Sequence, residues 1–425
     1  MNKLEELLKK KGIGPIASKS LSAEEVNDLD RLMNDPSISL TTKATMLTAM
    51  LMLEQNEYER MWVNSKLSSN QFSDEILWTF ITNQLQHPFS KLIHKIISHH
   101  ELSARECDLC MNYLFDKEIP DFLKASFLQA ERLKRETFAE NNAFYKFMFN
   151  KAQRIEVALP ILIDICDAYD GSNRTYNLSL FTAALLASCN VPVVLHGVDC
   201  VAPKMGYTHH QILKLAGKNT FKNLESASSD LMNENIRWVY VDQKIFFPEL
   251  YALKKLRQEM VKRPFIATFE KLLQPICNTN EHCIVTGYTH SHYKSEIPSQ
   301  LQTQTKCSKA LILRGVEGST HISNSKKTTC VLHKKNAPLS SFDIEPQDFN
   351  LPQMQEELNK NVTPEIVLNE AIQALRGKKN YSWYNILYSA LVFTTYFDIT
   401  WITHEQLMKN MSDGTALRYW ERGCM

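Results

Sequence analysis

The sequence predicts an α/β fold with an all-helical N-terminal domain and a larger, mostly parallel α/β domain. Two observations support this fold class. Residues 1–150 carry apolar side chains at three- and four-residue spacing, which is typical of amphipathic helices. From Leu159 onward, short β-branched or apolar runs alternate with helical patterns, and this alternation indicates parallel strands connected by helices.

An internal repeat organises the helical region. The segments Leu21–Ala23 and Leu102–Ala104 have the same sequence. At the same offset, the matched pairs are Asp35 with Asp116, Ile38 with Ile119, Lys43-Ala44 with Lys124-Ala125, Leu47 with Leu128, and Ala49 with Ala130. Each copy runs from a capping serine through a short acidic turn into a helix that contains alanine. We therefore expect a duplicated helical repeat, with residues 1–90 as an extra copy and residues 91–155 as the helical domain proper.

The second domain is expected to span residues 156–425. Its predicted strands are Ile161–Ile165, Val191–Leu195, Trp238–Val241, Cys283–Thr286, Ala310–Leu313 and Thr328–Leu332. Its predicted helices include Leu180–Ser188, Thr208–Leu215, Glu249–Val261, Thr363–Leu375 and Trp383–Phe397. The polar segment Ser340–Leu351 is expected to be a linker or surface loop. Residues 200–262 are expected to pack with the helical domain.

Composition disfavours several classes of protein. The net charge is +1, so bulk electrostatics recruit neither nucleic acid nor an anionic membrane. No apolar run is long enough to span a bilayer, and the charged N-terminal helix is unlike a secretory signal. The scattered cysteines favour a reducing, cytoplasmic location. The C-x-x-C formed by Cys107 and Cys110 lies in a helical pattern, where we expect ordinary buried residues.

Four segments restrict the function most. They are Asp164–Gly171 with Thr175–Ser179, then Val193–Gly197, then Phe247–Leu250 continuing through Arg257 to Arg263, and finally Arg314–Ser323. In this order they resemble D-I-x-G-T-G-G-D-G-x-x-T-F-N-I-S, V-x-K-H-G, H-P-A-M…R…R and G-x-x-G-x-D-E-x-S of the anthranilate phosphoribosyltransferase family. That family belongs to glycosyltransferase family 3, which includes nucleoside phosphorylase-like relatives. Leu102–Met148 also resembles the family's N-terminal domain.

The resemblance implies phosphoribosyl transfer. Such enzymes bind phosphoribosyl pyrophosphate with magnesium, and an aromatic amine displaces the diphosphate. Glycines let backbone N–H groups approach the diphosphate, and cations neutralise its charge. Carboxylates hold Mg²⁺, which prefers octahedral oxygen ligands. Electrostatic stabilisation of the leaving diphosphate is the expected main source of catalysis.

The sequence departs from the family pattern at most of its glycine and charged positions. The G-T-G-G-D loop reads Asp167-Ala168-Tyr169-Asp170-Gly171, and the whole chain has 12 glycines, where average usage gives about thirty. The lysine before His-Gly is Leu195, and the metal-binding Asp-Glu pair is Thr320-His321. A carboxylate ~4 Å from a phosphate charge costs about 4 kcal/mol at an effective dielectric of about 20. The site is therefore predicted to be degenerate, and magnesium is doubtful.

Nine residues remain as candidate ligand-binding residues at the matched positions. They are Asp167, Tyr169, Gly171, Asn177, Ser179, His196, Gly197, Arg257 and Arg263. No catalytic residue, metal ligand or cofactor is identified. Asn177 also fits a helix cap, and His196 also fits a satisfied strand-end histidine. The pair His209-His210 opens a helix and carries little weight as a ligand pair.

The two arginines leave alternatives open. In the family, the residue matching Arg257 helps hold the aromatic carboxylate. The basic run from Lys254 to Arg263 is equally typical of a solvated surface. Such a surface, together with Tyr169-Asp170-Gly171 and Arg174, is also similar to a diverged family branch that binds nucleic acid.

Two functions follow from these observations. The first is a glycosyl or phosphoribosyl (pentosyl) transferase that acts on a different ligand, a phosphorylated sugar or an aromatic small molecule, or that has lost turnover. The alternative is a non-catalytic protein on the same fold that binds another ligand or, weakly, nucleic acid. No membrane partner is expected. Family members dimerise through the helical domain, so we expect either a homodimer or an internal pseudo-dimer formed with the extra copy in residues 1–90.

Overall fold

The computed structural model describes residues 3–302, 306–355 and 362–425. The chain forms two compact units, one of Met1–Phe149 with Ala252–Phe269 and one of Asn150–Tyr251 with Glu270–Met425. Among the described helices, none is both long enough and apolar enough to cross a bilayer. The finer division of the helical region at residue 90 stays a prediction.

The first unit is helical, as predicted. It contains α1 (Lys3–Lys11), α2 (Ala23–Met33), α3 (Leu40–Met52), α4 (Glu57–Ser68), α5 (Glu75–Ile81), α6 (Pro88–Ile97), α7 (Ala104–Phe115), α8 (Asp121–Lys134) and α9 (Phe138–Lys151). Cys107 and Cys110 are both buried in α7, as expected for ordinary helix residues.

The second unit alternates strands and helices. Its strands are β1 (Ile155–Val157), β2 (Ile161–Cys166), β3 (Val193–Gly197), β4 (Trp238–Asp242), β5 (Ile276–Asn278), β6 (Glu281–Gly287), β7 (Lys309–Leu313), β8 (Thr328–Lys334) and β9 (Ser340–Ile344). The remaining α-helices in the described part of the chain are α10 (Ser179–Ala187), α11 (His209–Leu215), α12 (Leu224–Met232), α13 (Gln243–Phe246), α14 (Pro248–Ala252), α15 (Lys254–Glu259), α16 (Ile266–Phe269), α17 (Tyr293–Gln302), α18 (Pro364–Leu375), α19 (Tyr381–Tyr396), α20 (His404–Ser412) and α21 (Thr415–Arg422). Of these, α15 and α16 belong to the first unit.

The main sheet has the strand order β4-β3-β2-β6-β7-β8-β9. The pairs from β4 to β7 are parallel, and β8 and β9 join antiparallel at one edge. The interior strand β2 is buried along its whole length, and so is α10, which follows it in the chain. Because parallel strands end at the same edge of a sheet, the loops after β2 and β3 lie side by side, where ligands bind in such folds.

The two helical copies begin in the same way. Ser22 forms a capping box with Glu25 at the start of α2, and Ser103 forms the same box with Glu106 at the start of α7. The helices that follow, α3 and α8, start at matched positions and pack against each other. The internal repeat therefore extends from sequence to local geometry.

A buried glutamate closes each helical copy. Glu59 accepts a hydrogen bond from the backbone N–H of Leu21 at 2.9 Å, and Glu140 accepts one from the backbone N–H of Leu102 at 2.7 Å. Both glutamates are buried. They occupy matched positions of the repeat, so the two copies share a polar contact that the sequence comparison did not include.

Two predicted elements were wrong. Ser340–Leu351 is not simply a loop, because its first residues form the edge strand β9, which pairs with β8. Most side chains of β9 are exposed, which explains why its polar composition is typical of a loop. The single helix predicted over Glu249–Val261 is two short helices, α14 and α15, and the chain passes from one unit to the other between Tyr251 and Ala252.

Candidate functional site

A pocket lies at the carboxyl ends of β2 and β3. Its volume is about 320 Å³, including the solvent at its mouth. It is lined by six of the nine predicted residues, Asp167, Tyr169, Gly171, Asn177, His196 and Gly197, and also by Ala168, Val198, Tyr207, Thr208 and His209. All of these residues belong to the second unit. The sequence thus predicted the position of the pocket but not the wall formed by residues 207–209.

Asn177 and Ser179 join the pocket to the start of α10. Asn177 also fitted a helix cap in the sequence, but the N-cap residue of α10 is Leu178, and Asn177 precedes it by one position. Its side-chain oxygen nevertheless accepts hydrogen bonds from the Ser179 backbone N–H at 3.1 Å and from the Ser179 hydroxyl at 2.7 Å. The Asn177 backbone N–H donates to the Tyr207 hydroxyl at 2.6 Å. Asn177 therefore orients the helix start while it also lines the pocket.

Asp167 and Thr320 connect the loop after β2 with the loop after β7. The Thr320 backbone N–H donates to Asp167 Oδ1 at 2.6 Å, and the Thr320 hydroxyl lies 2.9 Å from each carboxylate oxygen. The same hydroxyl lies 2.8 Å from the Ser179 hydroxyl. Both residues are buried. The charge of Asp167 is thus bound by the protein itself.

His321 does not line this pocket. Its Nε2 lies 3.1 Å from the Tyr381 hydroxyl, and its backbone N–H donates to the Ser319 hydroxyl at 3.1 Å. The adjacent residues Thr320 and His321 therefore have different partners.

His209 lines the pocket, although its sequence context carried little weight for a ligand-binding role. The fold brings Asp167 Oδ2 to 3.5 Å from His209 Nε2, a contact that the order of residues in the chain does not indicate. Burial lowers the pKa of His209, although Asp167 acts in the opposite direction. Its neighbour His210 has Nδ1 2.8 Å from Asp242 Oδ2. The feature of the sequence that could have indicated a role for His209 is its position at the start of α11, the helix that follows β3.

Beneath the pocket lies a fully buried carboxylate between two histidines. Asp164 Oδ1 is 3.3 Å from His196 Nε2, and Asp164 Oδ2 is 3.6 Å from His282 Nε2. Burial alone would raise the pKa of Asp164, but the two histidines outweigh it and the pKa is about 2. Tyr169 hydrogen-bonds the other ring nitrogen of His196. His196 is therefore a satisfied strand-end histidine, as one of the two interpretations of the sequence expected.

Asp164, Cys166 and His196 form the one group of three metal-ligand side chains found among the described residues, with ligand atoms within 4.8 Å of one another. Burial, followed by the Asp164 charge, raises the pKa of Cys166 well above its usual value, which keeps it a thiol. The Asn278 backbone N–H donates to His282 Nδ1 at 3.1 Å, and the other ring nitrogen, Nε2, faces Asp164. Asp164 therefore lies between ring nitrogens of two histidines.

Arg257 and Arg263 lie in the first unit and do not line the pocket. Arg257 is 1% exposed, and Lys262 is buried with its ammonium donating to the Lys9 carbonyl at 2.9 Å. The interpretation of the run from Lys254 to Arg263 as a basic surface that is solvated along its whole length is therefore wrong. This burial gives no support to a nucleic-acid surface on that segment.

Comparison with known proteins gives the family. Residues 90–152 match the helical bundle domain of a glycosyl transferase family, and residues 160–403, more than half of the chain, match the α/β domain of that family. The anthranilate phosphoribosyltransferase of Alkaliphilus metalliredigens is 25% identical over 297 residues, which cover 68% of this chain and 84% of that protein. That of Syntrophomonas wolfei is 25% identical over 264 residues, or 62% of this chain and 74% of the relative.

Solved structures agree on the fold. The anthranilate phosphoribosyltransferase of Thermus thermophilus superposes with a TM-score of 0.62 at 18% identity, covering 78% of this chain and 97% of that one. The Saccharomyces cerevisiae enzyme, solved with PRPP and Mg, superposes with a TM-score of 0.59 at 16% identity, covering 94% and 97%. The predicted fold class is thus confirmed, and this chain belongs to glycosyltransferase family 3 as a distant homologue of the anthranilate phosphoribosyltransferases.

Proposed function

We propose that this family member has a degenerate phosphoribosyl pyrophosphate site and that its pocket takes a different small ligand, with altered transfer chemistry or without turnover. The observation that carries the proposal is the contact between Asp167 and Thr320. These residues stand where the family pattern has a loop glycine and a metal-binding aspartate. A carboxylate now fills the position at which a backbone would approach the diphosphate.

Electrostatics support this proposal. Asp167 and Asp170 are both buried in the loop that would face the diphosphate. Each carboxylate within about 4 Å of a phosphate charge costs about 4 kcal/mol at an effective dielectric of about 20. Leu195 replaces the lysine that would offset this cost.

The residues at the family's metal position do not fit magnesium. Mg²⁺ prefers carboxylate oxygens and water in octahedral geometry. The Thr320 hydroxyl is neutral and hydrogen-bonds Asp167 and Ser179 instead. His321 offers ring nitrogens and contacts Tyr381. We therefore assign no step to a metal ion.

The ligand class is testable by thermal stability. A ligand that binds only the folded state raises Tm. The panel would hold phosphorylated sugars and aromatic carboxylic acids, each with and without Mg²⁺. We expect at least one compound to raise Tm, and Mg²⁺ should not change that increase. The increase should be lost in Asn177→Leu, because this substitution places an apolar side chain in the pocket lining. A response that needs both phosphoribosyl pyrophosphate and Mg²⁺ would contradict the proposal.

We also propose that the helical repeat makes an internal pseudo-dimer. The support is the packing of α3 against α8, two helices at matched positions that are buried almost throughout. With this contact made inside one chain, no second copy is needed to cover either helix. Light scattering should give the mass of a monomer. A dimer that dissociates when the exposed face of α7 is altered, for example by Leu109→Glu, would contradict this proposal.

A further inference from the structure

A cluster of positive groups converges on one buried carboxylate beside the pocket. The Asn173 backbone N–H lies 3.3 and 3.1 Å from the two Glu317 oxygens, and the Arg174 backbone N–H donates to Oε1 at 2.6 Å. Lys204 Nζ is 2.6 Å from Oε2, and Arg174 Nε is 3.6 Å from Oε1. Successive backbone N–H groups with a nearby ammonium are the donor set that binds oxyanions in proteins.

This donor set is held in place by contacts that do not involve Glu317. Lys204 Nζ donates to the Gly171 carbonyl at 2.6 Å. Ser172 and Tyr207 exchange backbone hydrogen bonds at 2.9 and 3.0 Å, and the Gly206 N–H donates to the Asp170 carbonyl at 2.9 Å. The cluster therefore keeps its geometry when the glutamate side chain is removed.

Glu317 itself sits in an unfavourable conformation. Its backbone is left-handed, with φ of 56° and ψ of 15°, and Gly318 follows with φ of 77°. A non-glycine residue in this region costs on the order of 1 kcal/mol. Its side chain is 2% exposed, whereas Asn173 and Arg174 are exposed at the surface. Displacement of the Glu317 side chain would open the donor set to solvent.

We propose that Asn173, Arg174 and Lys204 form an oxyanion site for the phosphate group of a small molecule, and that the Glu317 carboxylate is an internal stand-in that this phosphate displaces. A phosphate monoester offers more oxygens and more charge than a carboxylate to the same donors. The site uses neither Asp167 nor Thr320. It therefore goes beyond the proposed function and does not depend on it.

Inorganic phosphate is the probe that tests this site. Calorimetric titrations at constant ionic strength would compare the wild-type protein, Glu317→Ala and the exposed-residue control Glu405→Ala. We expect Glu317→Ala to bind phosphate about tenfold more tightly than wild type, because a site whose open state is only fractionally populated loses affinity by that fraction. Glu405→Ala should behave as wild type, and the double variant Glu317→Ala with Lys204→Met should lose the gain.

The result that would overturn the proposal is a folded Glu317→Ala protein that binds phosphate no better than wild type. Circular dichroism would establish folding. Where the alanine variant does not fold, Glu317→Gln replaces it, because glutamine keeps the shape and removes the charge. Equal phosphate affinity in Glu317→Gln and wild type then overturns the proposal as well. Neither outcome bears on phosphoribosyl pyrophosphate, so a failure here is distinct from a failure of the proposed function.

Discussion

The helical unit and the α/β unit both bury carboxylates, but they use them differently. In the helical unit, Glu59 and Glu140 stand at matched positions and bind backbone N–H groups at the start of each copy. In the α/β unit, Asp167 and Glu317 lie in loops and bind other loops around a pocket. Buried carboxylates thus hold the scaffold together in the helical unit and, as we propose, occupy a ligand's position in the α/β unit.

The largest expected effect breaks the scaffold. Glu59 forms an ion pair with Lys11 at 2.9 Å, and neither side chain is exposed (0% for both). Glu59→Gln leaves Lys11 charged and buried without its carboxylate, which should cost about 3–5 kcal/mol. Urea denaturation measures the change in the free energy of unfolding. Glu57→Gln, on the exposed face of the same helix, is the control and should cost little; a similar small loss for both variants would contradict a structural role for Glu59.

A smaller effect distinguishes the two copies. Glu131 in α8 matches Met50 in α3, and both are buried. The pKa of Glu131 is raised to about 8, mainly by burial. Lys134 lowers this pKa in part, and the charge of Glu140 raises it.

Because the folded protein binds this proton more tightly than the unfolded chain does, Glu131 costs stability as pH rises from about 4.5 to about 8. Glu131→Met should therefore stabilise the protein by a few kcal/mol at pH 9, because one pKa unit corresponds to about 1.4 kcal/mol, with the gain vanishing below pH ~4.5. Denaturation at a series of pH values measures this difference. Glu118→Met, at an exposed position, should show no such trend. An equal gain at every pH would refute the assigned pKa.

The smallest effect concerns the loop contact. Thr320→Val removes the hydroxyl that contacts buried Asp167 but keeps the backbone N–H, and it should cost about 1–2 kcal/mol. Thr329→Val is a matched control, because the Thr329 hydroxyl donates to Asp343 at 2.8 Å on an exposed hairpin. That loss should be less than about 0.5 kcal/mol. Thermal denaturation that shows equal losses would mean that burial does not strengthen the Asp167 contact.

The sequence predicted the fold because its evidence is local. Periodicity and β-branched runs predicted β2, β3, β4, β6, β7 and β8. The short strands β1 and β5 were not predicted, and the edge strand β9 was missed because its exposed side chains are polar. The glutamates that close the helical repeat escaped the sequence comparison, since matched positions gain meaning only when their backbone partners are known.

The site was predicted only in part. Motif matching found the loop after β2, and it marked Asp167 and Thr320 as two separate losses. Their hydrogen bond joins positions far apart in the chain, and sequence spacing does not specify which loop side chains meet. The same reason applies to two other contacts, which only the folded chain shows. His209 lies close to Asp167, and the backbone N–H groups of Asn173 and Arg174 donate hydrogen bonds to Glu317.

The most direct test of the central claim is a calorimetric titration of phosphoribosyl pyrophosphate with Mg²⁺ into the wild-type protein. The Saccharomyces cerevisiae enzyme, solved with both, is the positive control. We expect no magnesium-dependent binding tighter than a Kd of about 1 mM, equivalent to about 4 kcal/mol of binding free energy. Micromolar binding that disappears when Mg²⁺ is chelated would contradict it and would show that this pocket still serves the chemistry of its family.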